Sequence, residues 1–420
     1  MLIGKEVAQG QLSRDEIAGL AARAFSSLSM AGKDVLVIIP DYSRHAPVDV
    51  FFRIIFDLIG EGVSVLDYLV ASGTHQPMSL ERILEHVGIT ADEHRERYKK
   101  VRFFAHAHDD PAQLKVAGTI PAAEIAEISD GLFNEDLTVT VNKRLYEYDQ
   151  VIILGPVSPH ETAGFSGGNK YFFPGIAGEE IINTFHWISA VITNPAINGV
   201  KDNPVRDILN RGADLIGVDA LCFSFGVLDG GGLGCLYIGS PQESWEKAAD
   251  YSARVHIIYK DRPYRRILGL ASAIYDDLWV GGKVMYKHEP ILAEGGELVI
   301  YAPHITEISY THGRLIREVG YHVRDYFVKQ WDRFSHYPKL ILAHSTNVRG
   351  IGTYEEGVEK PRVQVTLATR IPEDVCRQIN LGYRDPASID VSRWRNREDE
   401  GILVVDNAGQ ALYRLKTPQN

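Results

Sequence analysis

The sequence predicts an α/β protein of two Rossmann-like domains with a cleft between them. Three observations lead there. The chain is 420 residues long, more than one compact core comfortably fills. Continuous apolar runs of strand length alternate with helix-like stretches, the pattern of parallel sheets covered on both faces. The same pattern then restarts after a polar hinge, KDRPYRR, at residues 260–266.

The elements follow in order. A first helix is announced near Ser13, with Glu16 three residues later as its capping-box partner. DVLVIIPD, from Asp34 to Asp41, reads as a buried strand ending at a turn, and a helix follows near Pro47. VSVLDYLVASG (Val63 to Gly73), the run starting at Val101 and DQVIILGPV (Asp149 to Val157) are further strands. After the hinge, RILGLAS, GGELVIYAP, KLILAHS and GILVVDN read as four more, with residues 305–319 helical. The expected domains are therefore 1–263 and 264–402, with a tail, 403–420, packing back on the first.

Composition narrows the function. Apolar residues make up 45% and charged residues 24%, as in globular proteins at large. The net charge of −11, with no local basic stripe, argues against nucleic-acid binding. No apolar run reaches membrane-spanning length and the N-terminus lacks a signal-peptide layout, so a cytoplasmic location without membrane attachment is expected. Cys222, Cys235 and Cys376 are too few and too scattered for a disulfide framework or a cysteine zinc site, and read as buried apolar residues.

In open α/β sheets, ligands sit outside the carboxyl ends of the strands. Asp41, Ser43, Arg44, Gly73, Thr74, His75, His108, Asp109 and His160 all follow apolar strand runs. They are therefore expected along one edge. DYSRHAP offers a carboxylate, a hydroxyl and a guanidinium within four residues, and arginine holds planar carboxylates through paired hydrogen bonds. The bland alternative is a helix cap with a local ion pair. His75 in ASGTHQP suits acid–base work because imidazole titrates near neutrality. It could equally be a solvated loop residue beside a Thr74 cap. His106 and His108 end a strand and share a face, open to either reading.

The most informative segment is GPVSPHETAGFSGGNKYFFPG, Gly155 to Gly175. Glycines at 164, 167 and 168 allow close backbone approach to a ligand. Asn169 before Lys170 and Tyr171 after it exclude a Walker A loop, and the dinucleotide fingerprint is absent as well. Lys170 sits among Gly, Phe and Tyr, where desolvation favours the neutral, nucleophilic amine. The alternative is a flexible surface loop with a solvated lysine. His186, in EEIINTFHWIS, is either a hydrogen-bonded core histidine or a metal ligand, with no zinc-type spacing around it.

Together these segments resemble the nickel-dependent lactate racemase family. DYSRHAP, ASGTHQP, the histidine-rich strand end before Asp109 and Asp110, PHETAGFSGGNKYFFPG and His186 carry the resemblance, over most of residues 34–210. The spacing from His160 through Lys170 to His186 is its most specific part. The resemblance implies a nickel-pincer nucleotide, a pyridinium mononucleotide with two sulfur-containing arms. Lys170 would join one arm covalently and His186 would complete the nickel coordination. Asp41, Ser43, Gly73, Thr74, Ser166, Gly167 and Gly168 would hold the cofactor. Ser43 stands where the family usually has threonine, which keeps the hydroxyl.

His75 and His160 would be the acid–base pair of a racemase or epimerase of 2-hydroxy acids. One would take the hydroxyl proton while the C2 hydride passes to the cofactor and returns to the other face. Water exclusion suits such a transient 2-oxo acid. Arg44 and Lys283 would hold the substrate carboxylate. His108 has no catalytic counterpart. The family's lactate enzymes place Tyr-Gln three or four residues before that lysine, whereas DDLWVGGK places Trp279 and Val280 there. This turns the expectation from lactate toward a larger sugar acid or an aromatic 2-hydroxy acid. The implied partners are the small substrate and the enzymes that make the cofactor. The competing classes are a nicotinamide-dependent dehydrogenase, which the missing glycine fingerprint disfavours, and a non-catalytic nucleotide-binding protein, which the retained histidines disfavour.

Overall fold

A computed structural model describes residues 1–416. The chain divides into two units. The first holds residues 1–158, 165–182 and 201–254, and the second holds 159–164, 183–200 and 255–420. Among the described residues, no helix is long and apolar enough to cross a membrane.

The first unit is built on a seven-stranded sheet. Its strands run in the order Ile3–Glu6, Leu233–Gly239, Ala220–Val227, Gln150–Pro156, Asp34–Pro40, Val65–Ala71 and Arg102–Ala105. The five strands from Ala220–Val227 onward are mutually parallel, and the first two pair antiparallel. Val35, Val37 and Ile39 enter a core shared with Phe51, Phe52, Phe223 and Phe225. Leu36 and Ile38, on the other face, are also fully buried. A strand with both faces covered must read as a continuous apolar run, which is why DVLVIIP lacks alternation.

From Asp34–Pro40 the chain adds strands outward through Val65–Ala71 to Arg102–Ala105. It then returns to place Gln150–Pro156 on the opposite side. The strand order therefore reverses between Asp34–Pro40 and Gln150–Pro156, and ligands of open α/β sheets bind at such a switch point. The segments leaving these two strands are Asp41–Arg44 and the glycine-rich loop.

The second unit repeats this logic with a five-stranded parallel sheet. Its order is Gly382–Tyr383, Gln364–Thr369, Leu292–Ala302, Tyr264–Ala271 and Ile402–Ala408. The order reverses between Tyr264–Ala271 and Ile402–Ala408, and the chain leaving the former leads to Trp279 and Lys283.

Several expectations change. The expected boundary at 263/264 falls inside the second unit, whose strand Ile257–Lys260 pairs with Leu412–Leu415. The tail belongs to the second unit as well: Ile402–Ala408 pairs with Tyr264–Ala271. Its last residues, 417–420, lie outside the described residues. KLILAHS is not a strand but the start of the helix Lys339–Arg349. Pro338 sits at its entry and Gly350, with φ +85°, ends it. The strand at that level is Gln364–Thr369, rich in β-branched residues. Of the helix expected over 305–319, only Gly313–Val319 forms. The capping box of Ser13 and Glu16 forms as expected.

Candidate active site

In the first unit, strand Asp34–Pro40 delivers Asp41 and strand Val65–Ala71 delivers the turn Ser72–His75. Gly73 takes φ +57°, and the His75 N–H donates to the Ser72 carbonyl at 2.9 Å. His75 Nδ1 then lies 2.5 Å from Asp41 Oδ2. The other carboxylate oxygen, Oδ1, accepts from Ser43 Oγ at 2.7 Å and Ser43 N at 3.2 Å. Asp41 is buried. Burial alone would raise its carboxyl, but the charge and hydrogen bond of His75, the Ser43 hydroxyl and the charge of Arg44 outweigh it. They hold the group below the ordinary carboxylate range. An ionised carboxylate only accepts, so His75 carries a hydrogen on Nδ1, and the neutral form of this imidazole has its lone pair on Nε2. Asp41 and Ser43, expected at the cofactor, are engaged with His75 here.

The glycine-rich loop is buried rather than a solvated excursion; Lys170 is 7% exposed. Its carbonyls are tied inward. Trp245 Nε1 donates to the Ser166 carbonyl at 2.9 Å. Arg206 donates to the Phe165 carbonyl and, at 3.3 Å, to that of Gly167. The Arg206 guanidinium lies 4.0 Å from the Trp245 ring, and burial brings its pKa down to about 9. Ser166 Oγ donates to the Pro156 carbonyl at 2.8 Å, so this hydroxyl fastens the loop to its own strand.

Gly167 and Gly168 have φ +84° and +59°. A Cβ at 168 would stand 2.8 Å from Trp245 Cβ. Gly155 makes room for Tyr171, whose ring a Cβ there would meet at 2.4 Å. Tyr171, next to Lys170, is within electrostatic reach of Arg44 and Asp41. The first unit thus gathers Asp41, Ser43, Arg44, Gly73, Thr74, His75 and the Lys170 loop at one sheet edge. His106 and His108 follow the neighbouring strand. His106 is fully buried and hydrogen-bonded through both ring nitrogens.

In the second unit, His160 is 6% exposed. Its Nδ1 receives the Thr162 N–H at 3.2 Å, with Thr162 Oγ1 at 3.1 Å and Glu161 Oε2 at 3.2 Å. Nδ1 thus faces an amide donor and a carboxylate acceptor together, so His160, unlike His75, can carry its hydrogen on either ring nitrogen. The buried ammonium of Lys287 donates to the Pro159 carbonyl next to it.

His186, on the helix Glu179–Ile192, falls in an aromatic cluster that sequence reading missed. Its centre is His344, whose Nδ1 is 2.8 Å from Tyr286 Oη and whose Nε2 is 3.3 Å from Tyr321 Oη. Burial, then the charges of His312 and His186, hold this imidazole well below its ordinary pKa. Trp279 stacks on His344 at 3.8 Å and packs against His312 at 4.4 Å. KLILAHS has the unbroken apolar character of a strand, which obscures the signal for His344. Lys283 opens the helix Lys283–His288, with Nζ 5.2 Å from the Tyr275 ring centroid.

Comparison with known proteins bears on this geometry. Residues 17–198 match the family described as lactate racemase N-terminal domain. A lactate racemase of Thermoanaerobacterium thermosaccharolyticum is 27% identical over 195 residues, 45% of this chain and 41% of that protein. The chain's sequence match thus spans less than half of this curated relative. The crystal structure of a Thermotoga maritima protein superposes with a TM-score of 0.90 at 33% identity, covering 98% of this chain and all of that one. The lactate racemase apoprotein of T. thermosaccharolyticum superposes with a TM-score of 0.69 at 17% identity, covering 97% and 94%, a likeness of fold.

Proposed function

We propose, for a chain whose residues 17–198 match the lactate racemase N-terminal domain family, that it inverts C2 of a 2-hydroxy acid as a cytoplasmic racemase or epimerase. The observation that carries this reading is the setting of two imidazoles, each with a carboxylate oxygen at Nδ1. His75 offers a lone pair at Nε2, because Asp41 takes the hydrogen of Nδ1. His160, whose Nδ1 meets both the Thr162 amide and the Glu161 carboxylate, can present a hydrogen or a lone pair at Nε2. A reaction that removes a hydroxyl proton for one enantiomer and returns it for the other requires one base and one acid that exchange roles. A dehydrogenase needs only one such group.

The residues also suit the family's cofactor. Among the described residues, no group of three or more His, Cys, Asp or Glu side chains could hold a metal. In this reading His186 would hold the nickel of the pincer nucleotide. Lys170 would carry the covalent link, held by a buried loop that limits its motion and its hydration. When bound, the group supplies a reversible hydride acceptor at a pyridinium carbon.

The chain's own residues do the rest. His75 Nε2 takes the substrate's hydroxyl proton. Asp41 stabilises the resulting imidazolium through Nδ1. His160 Nε2 supplies the proton when the alcohol re-forms. Arg44 and Lys283 hold the substrate carboxylate. Gly73, Thr74, Gly167 and Gly168 let the backbone approach the nucleotide. The stack of Trp279 on His344 supports a substrate other than lactate, a larger 2-hydroxy acid.

The test is chemical. Protein produced together with the cofactor-synthesis enzymes should carry nickel and a mass adduct, and Lys170→Ala should lose the adduct. Chiral chromatography over a panel of 2-hydroxy acids should then show inversion of at least one. An adduct that persists in Lys170→Ala, or a loaded protein that inverts no acid in the panel, would overturn the reading.

A further inference from the structure

Three consecutive carbonyls at the exit of the Lys170 loop are each held by a different part of the first unit. The Gly175 carbonyl accepts from Gly73 N at 3.1 Å, in the turn that carries His75. The Ile176 carbonyl accepts from Asn142 N at 2.8 Å. The Ala177 carbonyl accepts from His106 Nε2 at 2.9 Å.

The third of these is built with care. His106 is fully buried, and Asn142 is 1% exposed. Asn142 Nδ2 lies 3.2 Å from His106 Nδ1 and 3.2 Å from Gln113 Oε1. Asn142 Oδ1 accepts from Arg144 N at 3.1 Å, which fixes which end of its amide faces the imidazole. His106 Nδ1 therefore accepts, and Nε2–H donates to Ala177. The backbone of His106 also donates to the Val70 carbonyl at 3.1 Å, two residues before the His75 turn begins at Ser72. Gly73 further packs on Pro174, which a Cβ there would touch at 3.4 Å.

We propose that His106 is a positioning residue. It acts through the Ala177 carbonyl to keep the exit of the Lys170 loop in register with the turn that carries His75. His106 touches neither reacting group. Its imidazole fixes residue 177, so residue 175 stays within reach of the Gly73 N–H. Released at 177, the segment 174–177 loses one of its three carbonyl anchors while keeping the bridge of Ala177 to Val141, and the bond linking it to the His75 turn weakens. That His75 and Lys170 react rests on the reading above; the mechanical link between their segments does not.

Hydrogen exchange of the full-length protein tests the link directly. In His106→Ala, amides of residues 72–78 and of 170–178 should both exchange at least about tenfold faster, while strand 220–227 stays unchanged. His106→Gln should restore both, because a carboxamide can donate to Ala177 and accept from Asn142. If His106→Ala does not fold, Asn142→Ala provides the same comparison: it keeps the backbone bond to Ile176 and removes the support under the imidazole. Faster exchange at 170–178 alone, or equal acceleration everywhere including 220–227, would overturn the proposal.

In cofactor-loaded protein, His106→Ala should lower kcat with little change in KM, and His106→Gln should rescue it. Unchanged kcat per adduct in the alanine variant would also count against the proposal. A wild-type chain that takes no adduct would sink the functional reading while leaving the exchange result to stand.

Discussion

Asp41→Asn should reverse the protonation of His75, and the structure says why. Ser43 N and Ser43 Oγ both donate to Asp41 Oδ1. In the variant, the asparagine oxygen is therefore retained at that position and its NH2 occupies the place of Oδ2, 2.5 Å from His75 Nδ1 in the native protein. An NH2 group donates, so Nδ1 must accept and the hydrogen moves to Nε2. The lone pair that serves as base is then gone.

The minimum cost is the loss of one charge-assisted hydrogen bond to the imidazolium, about 1.5–3 kcal/mol. That corresponds to roughly a 10- to 150-fold fall in kcat/KM, and the tautomer change adds to it. Imidazole nitrogen shifts in an NMR spectrum of 15N-histidine-labelled protein report the tautomer without any cofactor. Native protein should show protonated Nδ1 at His75 and the variant protonated Nε2. If His75 keeps its Nδ1 hydrogen in Asp41→Asn, or if the variant inverts substrate as fast as the native protein, the assignment of His75 as an Asp41-oriented base is wrong.

Three further outcomes follow from the same geometry. Gly175→Ala would put a Cβ 2.1 Å from the Tyr171 carbonyl oxygen, a backbone atom that cannot swing away. It should cost at least about 2–3 kcal/mol and prevent adduct formation, read by thermal unfolding and intact mass. Stability should fall in acid through His106 and His288, both brought from 6.5 to about 4, first by burial. An imidazole kept neutral by folding favours the folded state fully above pH 6.5 and loses that contribution as pH drops toward 4. Each should cost about 2–3 kcal/mol by pH 4.5. His108 and Asp109 shift His106 in opposite directions, and Lys287 lowers His288. Urea unfolding between pH 7.5 and 4.5 measures this, and His106→Gln should flatten the first unit's share. His344→Leu strands the Tyr286 and Tyr321 hydroxyls, both buried. It should destabilise the second unit by about 2–4 kcal/mol, seen as a lower Tm; an unchanged Tm would mean those hydroxyls find other partners.

The first unit was more legible than the second, for a physical reason. Parallel strands buried on both faces write themselves as unbroken apolar runs, and Asp34–Pro40, Val65–Ala71 and Gln150–Pro156 all carry that mark. Their carboxyl ends locate Asp41, His75 and the Lys170 loop without any knowledge of packing. Hydrogen-bond direction was not legible, because it depends on which atoms meet across 34 residues of chain, as at Asp41 and His75. The same holds for His106, whose strand-end position hid that both its nitrogens are engaged in the interior.

In the second unit, the run LILA in residues 340–343 has the hydropathy of a buried strand and the burial of one. Periodicity cannot separate a fully buried helix from a strand when every face is covered. Pro338 and Gly350 were the discriminating signals, since one opens and the other ends a helix of eleven residues. Reading them would have turned His344 from the end of a strand into the middle of a helix. There it shares a face with Asn347 and lies beside Trp279. Trp279 is legible in the sequence, but the imidazole it stacks on becomes visible only after the helix is assigned correctly.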